Sequence, residues 1–329
     1  MAAAAEPAAI DRRRIDPAQF AARWGTIASL ILLIVVFSAL KPDTFATSGN
    51  FIDIVNQVAI LGVIALGLTA PLVMNQFDLS ITGVATLAGY VSTRMLAEGN
   101  GGLIPVLLGT LALAALIGVA NGYIVGYLGI SAFIATLAVG QILNGVVLGY
   151  SKSETVMLGI PDSFLALGQD KVGPIPVPVI IFAVVALVLW TFLERTEYGR
   201  HMYAIGSNSE AARLSGINVR RYALIALSIS AVAAAIGGMV VAANLGVGRP
   251  QGVGETYLLD GFTAVFVGAA TLRPGVFHIL GTVVGVLLIG VISNGLSILG
   301  VATFWQLIIK GTLLIAAIFL ASLANRTAR

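Results

Sequence analysis

The chain has 329 residues, 58% hydrophobic and only 10% charged, with a mean hydropathy of +0.99 and a net charge of +3. Soluble domains carry about a quarter charged residues, so an ordinary globular protein is excluded and a polytopic membrane protein is indicated. There is no cysteine, which excludes disulfides and thiolate metal sites, and the basic residues are too dispersed for a nucleic-acid surface.

Residues 1–23 are Ala-rich, then basic at Arg12, Arg13, Arg14 and Arg23, and read as a cytoplasmic tail. Trp24 to Leu40 is a first span; no small-x-small cleavage pattern precedes Lys41 and Pro42, so it is read as retained. Phe51 to Val73 is the second span, ending at Pro71 and the polar cluster Asn75-Gln76-Phe77-Asp78. Leu79 to Leu96 resumes as the third. Leu103 to Tyr127 is the fourth, interrupted by Asn121-Gly122, and Ser131 to Tyr150 the fifth. A long polar loop rich in proline, 151–176, leads to the sixth, Val177 to Leu193. Tyr222 to Leu245 is the seventh, with Gly237-Gly238 at a close helix contact. Tyr257 to Thr271, Val276 to Leu299 and Thr303 to Ser322 complete about ten transmembrane helices, an all-α fold spanning 24–322 with a short tail at 323–329.

Lysines and arginines orient the chain. With the N-terminus inside, twelve basic residues fall inside and five outside, and Lys310 is left within a span. Both termini are therefore placed in the cytoplasm. The segment 121-NGYIVGYLGISAFIATLAVG-140 also echoes 294-NGLSILGVATFWQLIIKG-311 once two residues are gapped, in spans running oppositely. That is the pattern of an inverted repeat.

The polar island 194-ERTEYGRHMYAIGSNSEAARLSGINVRR-221 stands out between apolar runs, with five of the eighteen basic residues. Ser207 followed by Glu210 reads as a capping box, and Gly216 as a left-handed stop. A helix of about two turns, roughly 12 Å over Asn208 to Ser215, lies between them. Its face is Ala211, Ala212, Arg213 and Leu214. So short a helix needs a partner to pack against.

Within the membrane, Asp78 and Ser80 sit at a break between apolar runs; they either cap the third span or line or gate a pathway. Lys310 either pairs with an acid such as Asp260 or Glu255 or snorkels. Asn144, Asn244 and Asn294 can bond a polyol or a neighbouring helix. Trp190 and Trp305 suit the membrane interface, and His201 and His278 a solvated or interfacial place. No Gly-x-x-x-x-Gly-Lys-Ser/Thr phosphate loop, metal-ligand spacing or nucleophile-base set is present, so catalysis within this chain is not expected.

The stretch 198-YGRHMYAIGSNSEAARLSGINVRR-221 resembles the cytoplasmic loop of permease subunits of bacterial ATP-binding-cassette importers for monosaccharides, the ribose, xylose, arabinose and galactose type. Asp78-Leu79-Ser80, Asn121-Gly122, 131-SAFIATL-137, 293-SNGLSILG-300 and Lys310-Gly311 are similar too, and the resemblance covers about 50 to 320. It implies a homodimeric permease in the bacterial plasma membrane, with two ATPase subunits below and a periplasmic sugar-binding protein above. The short helix, with Ser207, Glu210, Ala211, Ala212, Arg213, Leu214 and Gly216, would transmit ATPase movement. ATP and Mg²⁺ would sit on the partner, and no cofactor on this chain. Two departures stand out: Asn75-Gln76-Phe77 where the family has Gly-Gly-Ile, and 271-TLRPGVFH-278 where it often has Ser-Gly-Gly-x-Gly. Branched-chain amino acids as cargo, or an ion-coupled carrier acting alone, are the competing readings.

Overall fold

A computed structural model describes residues 17–327; the arginines at 12, 13, 14 and 329 lie outside the described residues. The elements in chain order are α1 (Pro17–Leu40), α2 (Ser48–Val73), α3 (Ile81–Ala97), α4 (Leu103–Gly126), α5 (Ala132–Ser151), α6 (Asp162–Gln169), β1 (Lys171–Val172), β2 (Ile175–Pro176), α7 (Val177–Arg195), α8 (Glu197–Ser207), α9 (Ser209–Leu214), α10 (Val219–Leu245), α11 (Val253–Ala269), α12 (Ile279–Ile298) and α13 (Thr303–Thr327). Six of them, α2, α4, α5, α7, α10 and α12, are long and apolar enough to cross a membrane. α3 and α11 have 17 residues each, about 25 Å at 1.5 Å per residue, and are enclosed by neighbours over most of their length.

α2 and α10 form the centre. Two thirds of the spanning window of each is buried, against about a fifth for α4, α5 and α7, which form the periphery. Small residues make this possible. Without a hydrophobic force between helices in lipid, close backbone approach supplies the packing. Gly118, Gly122 and Gly126 lie one turn apart on α4, and a Cβ on the first two would come within 2.4 Å of Ser228 and Leu224 backbone atoms of α10. The fourth span is therefore continuous through Asn121-Gly122: the glycine there is a packing notch, and the expected interruption is absent. Gly238 of α10 meets Ala85 of α3 in the same way, which matches the contact expected at Gly237-Gly238.

The break after α2 has a local cause. Pro71 sits in the last turn, and Asn75 then adopts φ +56°. Asparagine tolerates that left-handed geometry better than most residues, so it can stand where the resemblance expected glycine. Its side chain donates to the Gly206 carbonyl at 2.6 Å, which ties the break to α8. Leu272, at the other departure, has φ +60°, a costlier substitution because its side chain makes no such local bond.

The loop at 151–176 is more ordered than its proline content suggested. It holds α6 and the β1–β2 hairpin, with Lys171 opposite Pro176. Asn244 and Gln169 bind it to the end of α10, through the Gly168 carbonyl at 2.9 Å and the Ala243 carbonyl at 3.0 Å. At the opposite end of the bundle, the turn after α11 meets the end of α7 through Arg273 and Glu194.

Candidate functional site: a protruding helix pair and a polar wall

The polar island folds as two helices, α8 as well as the short α9. Thr196 caps α8 by accepting from the Gly199 N–H, and a Cβ on Gly199 would collide with the Leu193 carbonyl. The chain can reverse there because that residue has no side chain. α8 then buries Met202 and Ile205 among Leu189, Leu193, Val73 and Ala226. Tyr203 donates to Glu194 at 2.9 Å, and Arg273 reaches the same carboxylate. Burial, then the neighbouring carboxylate, push the Tyr203 phenol well above its ordinary pKa.

α9 starts one residue later than the capping-box reading placed its cap. Asn208, not Ser207, accepts from the Ala211 N–H at 3.0 Å. Ser207 is the last residue of α8, and its hydroxyl donates to the Tyr203 carbonyl. Glu210 does not reach back to a cap N–H; it forms a two-point pair with Arg213, at 3.0 Å and 2.5 Å. Those bonds hold the Glu210 carboxyl below the usual carboxylate range. Ser207 and Asn208 are both competent caps, and the adjoining α8 claims the serine. The C-terminal end is as read. Gly216 has φ +87°, and Ile217 and Gly216 donate to the carbonyls of Ala212 and Arg213, a Schellman motif. Ala212 is buried rather than part of an exposed face; Ala211, Arg213 and Leu214 remain exposed, Leu214 at 75%.

Inside the bundle Asp78 is fully buried. It accepts from the Ser80 N–H at 2.9 Å and from the Ser80 hydroxyl, which in turn accepts from Asn121 at 2.8 Å. This links the start of α3 to the end of α4. Asn294 of α12 donates to Asn50 of α2 at 2.9 Å. Asn244 braces α6, as above. Asn144 of α5 donates its amide to the exposed Glu255 of α11 at 3.2 Å; its buried Oδ1, like those of Asn121 and Asn294, has no partner among the described residues. Lys310 of α13 pairs with Asp260 of α11 at 2.7 Å, with both side chains mostly buried. The structure thus pairs Lys310 with Asp260 and gives Glu255 to Asn144.

Arg273, Tyr203 and Glu194 were not singled out from the sequence; they come from three separate elements and no spacing relates them. The α4 glycines were readable, at positions four apart. Phe77 was named only within a departure from the family pattern, and its ring partners came from three dimensions. It is 37% exposed, with its ring over Phe262 and Phe266 at centroid distances of 5.8 and 6.2 Å.

A family described as "branched-chain amino acid transport system / permease component" matches residues 50–318. The chain is 34% identical to the ribose import permease protein of Escherichia coli over 296 residues, covering 89% of this chain and 91% of that protein. It is 33% identical to the D-allose transport system permease protein of Escherichia coli, covering 97% of each. With the galactose/methyl galactoside import permease protein of Haemophilus influenzae it shares 33% identity, over 89% of this chain and 92% of that one. No solved structure matches. Matched along most of its length, this membrane chain of several apolar helices belongs to that family of transport-system permease components.

Proposed function

We propose that this chain is the permease subunit of an ATP-driven importer in a bacterial inner membrane, carrying a monosaccharide or related polyol. The observation that carries the reading is its similarity, over nine tenths of its length or nearly so, to permeases named for ribose, allose and galactose. The family description mentions branched-chain amino acids, but these relatives are named for sugars, and the sugar reading is preferred on that ground.

Two copies bracket one path in this reading. ATPase subunits bearing ATP and Mg²⁺ dock on the cytoplasmic side, and a binding protein delivers sugar from the other. α9, carrying Ala211, Arg213 and Leu214, is the element the ATPase pushes on; Glu210 orients Arg213, Asn208 and Gly216 fix the ends, Ser207 joins it to α8 and Ala212 roots it. A rigidly capped two-turn helix with an exposed leucine has the form such docking needs. The chain crosses the membrane ten times with both termini inside. Supporting this, the turn after α11 and the end of α7, both assigned to the cytoplasm by their charges, meet through Arg273 and Glu194. The inverted repeat draws support from Gly129 and Gly300, which turn the two matched corners with φ of +72° and +74°. Among the polar residues of the spans, Asn144 and Lys310 face the path, while Asp78, Ser80, Asn244 and Asn294 brace its walls.

The test is uptake in liposomes holding the chain with its ATPase and binding protein. Labelled D-ribose, D-allose, D-xylose, D-galactose and L-leucine are each supplied. ATP-dependent uptake of at least one sugar, and none of leucine, is expected. Leucine uptake alone, or uptake by the isolated chain in ATP-free liposomes under an ion gradient, overturns the reading.

A further inference from the structure

Resting on that transport reading, we infer that Phe77 and Glu255, the latter held by Asn144, are sugar contacts along a water-lined wall built on α11. α11 is flanked on one side by α5, through Asn144 and Glu255, and on the other by α13, through Lys310 and Asp260. Glu255 and Leu259 are exposed one turn apart on α11, and Phe262, which lies under Phe77, continues the same strip. An exposed carboxylate beside an amide does not belong against hydrocarbon; polar groups at membrane depth turn towards water or protein. The strip therefore faces an aqueous path.

Its chemistry selects the cargo. Lys310, a cation within α13, is occupied by Asp260 at 2.7 Å. Paired in this way, Lys310 is not free to hold an α-carboxylate, and the neighbouring Glu255 repels one. A neutral polyol finds what it needs. The exposed Glu255 accepts from hydroxyls, and the Phe77 ring offers an apolar face to sugar C–H groups. Two aromatic rings beneath Phe77 hold it in place. The family pattern puts isoleucine here, so the ring is a feature of this chain that bears on which sugar passes.

The absence of cysteine makes the test direct. Phe77→Cys, Leu259→Cys and, as a lipid-facing control, Leu187→Cys are placed in the full assembly in liposomes and exposed to a charged, water-soluble thiol reagent. Uptake is measured for Phe77→Ile and Phe77→Tyr with the four labelled sugars. Expected are labelling at 77 and 259 but not 187, slower labelling when transported sugar is supplied with ATP, and uptake reduced about five-fold in Phe77→Ile and retained in Phe77→Tyr, the loss of a ring contact being on this scale. The melting temperature of Phe77→Ile in detergent should stay close to that of the wild type, which a general folding defect would not leave intact. Absence of labelling at both 77 and 259 overturns the inference, as does disulfide formation between copies at these positions, which would make the wall a subunit contact. Wild-type uptake by Phe77→Ile overturns the sugar contact. If the wild-type assembly carries none of the four sugars, it is the transport reading that fails, and labelling at 77 and 259 still decides whether the wall is water-lined.

Discussion

Arg273 donates to both oxygens of Glu194, at 3.1 and 2.9 Å, while Tyr203 donates to the same carboxylate. The turn after α11, the end of α7 and the helix that carries α9 are thereby joined at one point. In the proposed coupling, a displacement of α9 would pass through α8 to Tyr203 and reach the turn after α11, whose other end bears Glu255. Arg273 is half exposed, so its ion pair contributes little to stability, about 1 kcal/mol or less. Arg273→Ala should therefore lower the melting temperature of the purified chain only slightly. Sugar uptake per ATP hydrolysed should fall several-fold. Equal losses of stability and coupling would argue that the contact is only structural.

The cap assignment separates two neighbouring residues. Asn208→Ala removes the side chain that accepts from the Ala211 N–H and should destabilise α9 locally by about 1 kcal/mol. Ser207→Ala removes only a bond to the preceding turn of α8 and should leave α9 unaffected. Hydrogen exchange of the 211–214 amides distinguishes them, with faster exchange expected in the asparagine variant alone.

Lys310 and Asp260 are a mostly buried pair, and loss of one partner strands the other charge. Lys310→Met should cost about 3 kcal/mol, whereas Lys310→Met with Asp260→Leu should recover most of that. Thermal unfolding in detergent of both single variants and the double variant gives the coupling. A double variant no more stable than the worse single one would show that the pair is not the dominant interaction of either residue.

The glycines of α4 are not equivalent. A Cβ at Gly122 would lie 2.4 Å from the Leu224 Cα, a backbone atom that cannot swing away. Gly109 has nothing within 4 Å. Gly122→Ala should cost on the order of 3 kcal/mol by forcing α4 from α10. Gly109→Ala should be neutral or stabilise by up to about 1 kcal/mol through helix propensity. Melting temperatures of the two variants in one detergent provide the comparison.

The strained Leu272 gives a prediction of opposite sign. Its φ of +60° costs a side-chain-bearing residue about 1–2 kcal/mol that glycine avoids. Leu272→Gly should raise the melting temperature. Asn75→Gly, at φ +56°, should lower it, because the bond to the Gly206 carbonyl is lost with the side chain.

What the sequence determined by itself follows from local physics. Apolar runs must hide their backbone polar groups in helices, so most helices were legible to within a few residues, from Leu103 to Gly126 for example. The left-handed stop at Gly216 was legible because a residue without Cβ adopts that geometry freely. What tertiary structure decided were the choices between equals. Ser207 and Asn208 cap a helix equally well in isolation, and only the preceding α8 turn takes the serine out of contention. Asp260 and Glu255 were equally available to Lys310 until the helices set one beside α13 and the other beside α5. Phe77 reads as one more apolar residue in the chain. Its ring becomes a surface only because α11 brings Phe262 and Phe266 beneath it, a relationship that helix packing creates across nearly two hundred residues.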